Sequence, residues 1–218
     1  MKTITAIEAQ KKDPNRVNIH LDGEFAFGLS RIVAAWLKVG QRLEDGKIAQ
    51  LQADEARERA YQQAMLYLSY RPRSEAEIRQ NLRKHEYPEE VIEETLDRLR
   101  QARLANDDEF ARAWVDNRST FRPRSRRALA MELRQKGLSD EAAQSALAGV
   151  DEETLAYEAA RKRAARLSGL DWIEFRKKMS DFLARRGFPY SIVAPTVRRI
   201  WNETHFGQEQ NLDEEDSI

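Results

Sequence analysis

The chain contains no cysteine, which excludes disulfide staples and thiolate metal sites and fits a reducing compartment. Glycine (9) and proline (6) are scarce for 218 residues, so tight turns are few and long helices are expected. The three histidines, His20, His85 and His205, lie far apart and lack metal-ligand spacing. No uninterrupted apolar run approaches the roughly 18 residues of a membrane span, and Met1-Lys2-Thr3-Ile4 opens no secretory leader. A Gly-rich phosphate loop and a serine nucleophile elbow are missing too. These absences point to a soluble, cytoplasmic protein that is not an enzyme and needs no cofactor.

What is present is charge, and it is segregated. Lys plus Arg equal Asp plus Glu at 37 each. Yet residues 118–136 hold seven basic side chains and one acid, and 161–178 hold seven basic and two acidic ones. Residues 86–97 hold six acids and no base, and 209–218 five acids and no base. A neutral total therefore hides a cationic and an anionic face.

A long-period repeat organises the rest. Ile78, Leu82 and Leu96 recur as Leu129, Leu133 and Leu147, shifted by 51, and again as Met179, Leu183 and Val197, shifted by a further 50. Tyr87-Pro88, Leu138-Ser139 and Phe188-Pro189 share one slot, and Gly137 matches Gly187. Such a period implies stacked supersecondary units, each burying its apolar face on the next.

The N-terminus reads differently. Val17, Ile19 and Leu21 alternate with polar residues, Asp22-Gly23 intervenes, and Phe25 and Phe27 alternate again. That is a hairpin signature, to which Ile4–Ile7 adds a third strand. Ser30 then caps a short helix ending at Gly40. The expected organisation is an N-terminal β-hairpin region over 1–30, a helical connector over 31–53, and three three-helix repeats over 54–105, 106–150 and 151–206. An acidic disordered tail over 207–218 follows. The fold class is mainly α, an elongated curved solenoid of tandem three-helix repeats with a small antiparallel sheet.

Within the repeats the spacing predicts helices over 54–69, 74–86 and 89–103, then 107–119, 125–136 and 140–149, then 151–168, 172–187 and 190–205. Tyr61, Phe110 and Tyr157 are expected in the core, and the four tryptophans, Trp36, Trp114, Trp172 and Trp201, are expected to pack helices together and not to form a base-stacking platform. Ser74 with Glu77 predicts a capping box, whereas Ser125 has Ala128 in place of the Glu and makes half of one. Tyr87 over Ile92, Leu138 over Ala143 and Phe188 over Val193 read as hydrophobic staples. Asp107-Asp108-Glu109 suits a helix N-terminus, and Pro195 is expected to kink or shorten the last helix.

The sharpest local motif is duplicated: Tyr70-Arg71-Pro72-Arg73-Ser74 and Phe121-Arg122-Pro123-Arg124-Ser125. A connector explains the proline and the serine. It leaves the arginines as either solvated loop residues or contacts to an acidic surface or phosphates. A helix-turn-helix reader of the major groove is disfavoured. Its recognition helix would open on Pro88-Glu89-Glu90 or Ser139-Asp140-Glu141, carboxylates that the DNA backbone repels.

The pattern resembles the RecX regulatory proteins, bacterial modulators of the RecA recombinase. The resemblance rests on Ala64–Ser69 running into Arg71-Pro72-Arg73-Ser74-Glu75-Ala76-Glu77-Ile78, then Leu82, Tyr87 and Val91-Ile92. It continues through Leu104–Ala111 and the Arg122–Ser125 copy with Leu133, Lys136-Gly137 and Leu138. The third repeat lacks the Arg-Pro-x-Ser element, and the acidic tail lies outside the shared pattern. The resemblance implies a monomer that lies along the groove of a RecA filament on single-stranded DNA and inhibits its ATPase, strand exchange and co-protease activities. The residues proposed to contact RecA or DNA, single-stranded or non-specifically double-stranded, are Arg71, Arg73, Arg122, Arg124, Arg126, Arg127, Arg134 and Lys136. The rival readings are a DNA-binding helical-repeat module without a RecA partner and an adaptor for some other protein.

Overall fold

The structure, a computed structural model, describes residues 1–205; the acidic stretch expected over 207–218 lies outside them. The order of elements is β1 (Lys2–Ala9), β2 (Arg16–Leu21), β3 (Glu24–Ser30), α1 (Arg31–Ala34), β4 (Arg42–Leu43) and α2 (Asp45–Ser69). Then come α3 (Glu75–Lys84), α4 (Glu89–Gln101), α5 (Asp107–Phe121), α6 (Arg126–Gln135) and α7 (Asp140–Leu147). The chain continues with α8 (Glu152–Ala164), α9 (Trp172–Arg185) and α10 (Tyr190–His205). It divides into two compact units, Met1–Asn106 and the part from Asp107 onward.

In the first unit the sheet is antiparallel in the order β3-β2-β1-β4. Asp22 (φ 52°) and Gly23 (φ 92°) both take left-handed backbone at the β2–β3 turn, the geometry that matches strand twist in a two-residue hairpin. Alternation then buries Val17, Ile19 and Leu21 with Ile4, Leu29, Ala34, Leu43 and Leu51. Two features depart from the sequence reading. The expected connector contributes a fourth strand, with Lys2 paired to Leu43 and Thr3 to Arg42. The following helix begins at Asp45, not 54, and runs 25 residues. Asp45 at the helix start is stabilised by the dipole, and Leu51 anchors this first stretch in the sheet's core. Glu55 is buried as well, accepting from the Arg16 guanidinium and, at 2.6 Å, from the Ser30 amide. That pair ties α2 to the sheet, and no local pattern announced it.

The repeats form as the periodicity required. Ile78, Leu82 and Leu96 sit in one cluster with Ala60, Ala64, Ile92, Leu99 and Ala105. Leu129, Leu133, Leu147, Met179, Leu183 and Val197 all belong to a second cluster that is continuous through repeats two and three. Ser74 and Glu77 make the full capping box, and Ser125 accepts from the Ala128 amide alone. Both members of each staple pair join the same cluster. Helix α10 continues unshortened through Pro195. Because proline brings no N–H, it sits six residues into the helix at the cost of one backbone bond.

Two expectations are corrected. Of the aligned aromatics only Phe110 is buried; Tyr61 and Tyr157 lie at the core's edge beneath Arg98 and Arg199. Trp36 is 87% exposed, unlike Trp114, Trp172 and Trp201, which pack against the second-unit core.

Candidate functional site

Each duplicated linker is built by the same physics. Proline stops the preceding helix, serine caps the next, and the aromatic at the helix end is left outside: Tyr70 is 75% and Phe121 73% exposed. The arginines then diverge. Arg71 forms a two-pronged pair with Glu77 (2.8 and 3.1 Å) and donates to the Pro72 carbonyl. The Glu77 carboxylate raises its pKa against the cost of burial. Arg73 stacks 3.9 Å from the centre of the Tyr67 ring. Both therefore brace their own unit.

In the second unit Arg122, Arg126 and Arg127 are exposed and make no side-chain hydrogen bond or ion pair among the described residues. Arg124 reaches Glu132 at 3.0 Å, which also takes Arg118 (2.8 Å) and the Trp114 indole N–H (2.9 Å). One carboxylate thus answers two guanidiniums. Lys136 lies over the Trp114 ring, its Nζ 5.0 Å from the centre. Arg134 is held aside by Asp140 at 2.5 Å.

Arg186, at the end of α9, belongs to this cluster and was missed in the sequence. Its guanidinium donates to the Pro123 carbonyl (2.9 Å), and its own carbonyl accepts from the Ser125 amide (3.1 Å). It rests on Phe182, with Arg163 on the same ring. Among the described residues it makes no ion pair with a carboxylate. Burial first, then the Arg124 and Arg122 charges, pulls its pKa below the ordinary value. Lys162 closes the far side by donating to the Thr120 carbonyl at 2.7 Å. The signal existed in the repeat: Lys136-Gly137 and Arg186-Gly187 occupy the same slot, a cation just before the glycine that ends a helix.

Gly187 explains why that slot can approach the linker. Its φ is +90°, and a Cβ there would stand 2.5 Å from the Ser125 Oγ and 3.0 Å from the Ala128 Cβ. Only glycine allows both the left-handed turn and the close contact. The third repeat is thereby seated on the second-repeat linker, and the arginines converge through it.

Of the eight proposed contact residues, Arg122 and Arg124 lie near enough to Arg186 to act on its charge, and Arg126 and Arg127 are exposed on the first turn of α6. Arg134 and Lys136 are engaged by Asp140 and the Trp114 ring, and Arg71 and Arg73 belong to the first unit. Planar guanidinium donors of this kind suit phosphate or carboxylate. His20 packs edge-on to Phe25, and His85 faces Gln63, so these two do not converge. Among the described residues no group of three or more His, Asp or Glu is placed to hold a metal ion, and no helix is long and apolar enough to cross a membrane.

A small sheet followed by three capped three-helix units, with its unbalanced charge on a linker, defines a helical-repeat protein. Sequence profiles describe its parts. The "Regulatory protein RecX N-terminal domain" matches residues 2–44, and the first, second and third RecX three-helix domains match 60–99, 106–147 and 151–195. Regulatory protein RecX of Bacillus pumilus (strain SAFR-032) is 34% identical over 99% of this chain and 82% of its own length. That of Amycolatopsis mediterranei (strain U-32) is 37% identical over 75% of this chain and 94% of its own. A crystal structure of regulatory protein RecX superposes with TM-score 0.69 at 29% identity, covering 88% of this chain and 97% of that one. RecX from Lactobacillus salivarius gives 0.59 at 26%, covering 68% and 97%. The chain belongs to the RecX family of regulatory proteins.

Proposed function

We propose that this protein is a negative regulator of the RecA recombinase, binding the RecA–single-stranded DNA filament along its groove and inhibiting its ATPase, strand exchange and co-protease activities. It acts as a cytoplasmic monomer, by occupying surface and not by bond chemistry, and uses no cofactor. The observation that carries the site is the second-unit linker, where the Arg122, Arg126 and Arg127 side chains make no hydrogen bond or ion pair among the described residues, Glu152 reaches only the Arg126 amide (3.2 Å), and Arg124 shares a single carboxylate with Arg118. Uncompensated arginines held on capped helices are an investment in an external anion: strand phosphates, or carboxylates on RecA. Exposed Phe121 beside them adds a ring for base or side-chain contact.

The test is RecA's single-stranded-DNA-dependent ATPase against increasing protein at fixed salt, with DNA in excess. Inhibition well below one copy per RecA is expected, because competition for abundant DNA cannot produce it. Inhibition only when the protein saturates the DNA replaces this reading with a generic DNA-binding module. No inhibition removes RecA as the target. In the same assay the quadruple variant Arg122→Glu, Arg124→Glu, Arg126→Glu, Arg127→Glu is expected to lose inhibition; full activity would discard this face.

A further inference from the structure

A second surface lies apart from the linker arginines. Between α9 and α10 runs a groove of about 440 Å³ lined by Trp172, Ile173, Arg176, Lys177, Ser180 and Tyr190, and closed by Asp181, Ala194, Val197 and Arg198. Tyr190 is 82% and Ile173 72% exposed, two large apolar side chains side by side in one groove lining. Tyr190 stands on the first turn of α10, a fixed position, next to a helix start braced by Ile192 and Val193 amides donating to the Pro189 carbonyl. Arg176, Lys177 and Arg198 make no ion pair among the described residues, and Asp181 is the single carboxylate in the lining.

We infer that this groove holds a single nucleic-acid strand, with a base stacked on Tyr190 and Arg176, Lys177 and Arg198 along the phosphates. The inference takes its ligand class from the proposed function but does not depend on RecA. An exposed ring among unpaired cations is what sequence-tolerant strand binding requires: stacking accepts any base, and cations follow the backbone. An acidic peptide would use the cations equally but would leave the Tyr190 face without its planar partner. Asp181 opposes a phosphate, so it tempers the site; Asp181→Asn should tighten it.

The experiment measures full-length protein binding to fluorescent oligothymidylate and to an abasic strand of equal length, without RecA. Tyr190→Ala should weaken oligothymidylate binding roughly 5- to 100-fold and leave the abasic strand unaffected, while Tyr190→Phe retains binding. The double variant Arg176→Glu, Lys177→Glu should weaken both strands and make the salt dependence shallower by about 1.4 in log–log slope. Both positions are exposed, and circular dichroism verifies folding. Unchanged oligothymidylate binding in Tyr190→Ala, or equal loss on both strands, overturns the inference. So does polyglutamate competing with the same dependence on Tyr190, which would assign the groove to an acidic protein segment. Tyr190-dependent strand binding in a protein that fails to inhibit RecA would keep the groove and reject the RecA reading. Inhibition of RecA by wild type, with no Tyr190 effect on strands, does the reverse.

Discussion

The two linkers share an aromatic, two arginines, a proline and a capping serine, yet their electrostatics are opposite. In Tyr70–Ser74 the guanidiniums are consumed internally, one by Glu77 and one by the Tyr67 ring. Several helical arginines of that unit do the same. Arg57, Arg79, Arg83, Arg98 and Arg100 each find a carboxylate. In Phe121–Ser125 the position matching Glu77 is Ala128, so the arginine matching Arg71 has no internal acid to meet. The third repeat then brings Arg186 against it. The unit up to Asn106 holds 18 basic and 17 acidic residues, whereas 107–205 holds 19 and 15. A duplicated motif therefore does not duplicate a function. One difference at the third helical position, Glu77 against Ala128, removes the acid that braces the first linker's arginine.

The largest effect that would break this comparison is at the glycine seating Arg186. Gly187→Ala forces a left-handed alanine into contact with Ser125 and should destabilise the protein by about 2–4 kcal/mol, read as a lowered midpoint in urea. The matched slot of the first repeat predicts the opposite sign. Glu86 has φ 62° there, so Glu86→Gly should stabilise by about 1 kcal/mol; a loss of stability would refute the reading of that turn.

Next comes the pair Arg71→Ala and Arg122→Ala. The former should cost about 0.5–1 kcal/mol of stability, since its pair is partly exposed, and leave strand affinity unchanged. The latter should leave stability within about 0.5 kcal/mol and lower strand affinity, with the salt slope shallower by about 0.7. Thermal melts together with anisotropy titrations separate them, and a reversed pattern would dissolve the distinction between the linkers.

The smallest expected effect is on acid stability. Arg83, followed by Arg79, holds the Glu89 carboxyl below the usual range, and Arg79 does the same for Glu93. A folded pKa below the unfolded one stabilises at neutral pH, and that contribution disappears as pH falls through the folded value. Glu89→Gln should thus lower the melting temperature slightly at pH 7 and not at all near pH 2. A difference that persists in acid would mean the pair is not its source.

Much of the fold could be read from residues. The 51- and 50-residue shifts of Ile78, Leu82 and Leu96 marked buried positions in every repeat, because a helix face that must pack keeps its apolar spacing. Asp22-Gly23 marked the hairpin, since few residue pairs take left-handed backbone twice. Helix was expected on both sides of residue 54, as connector and as repeat; that one helix runs unbroken from Asp45 was not legible, because its first stretch is held by sheet contacts and its start carries no serine cap.

By itself the sequence determined the repeat, the caps, the turn chemistry and the family, all consequences of local backbone preference and helical period. Tertiary structure alone decided which arginines are spent and which are available. Charge pairing depends on what lies within a few ångströms, and Arg186 reaches the Pro123 carbonyl from 63 positions away.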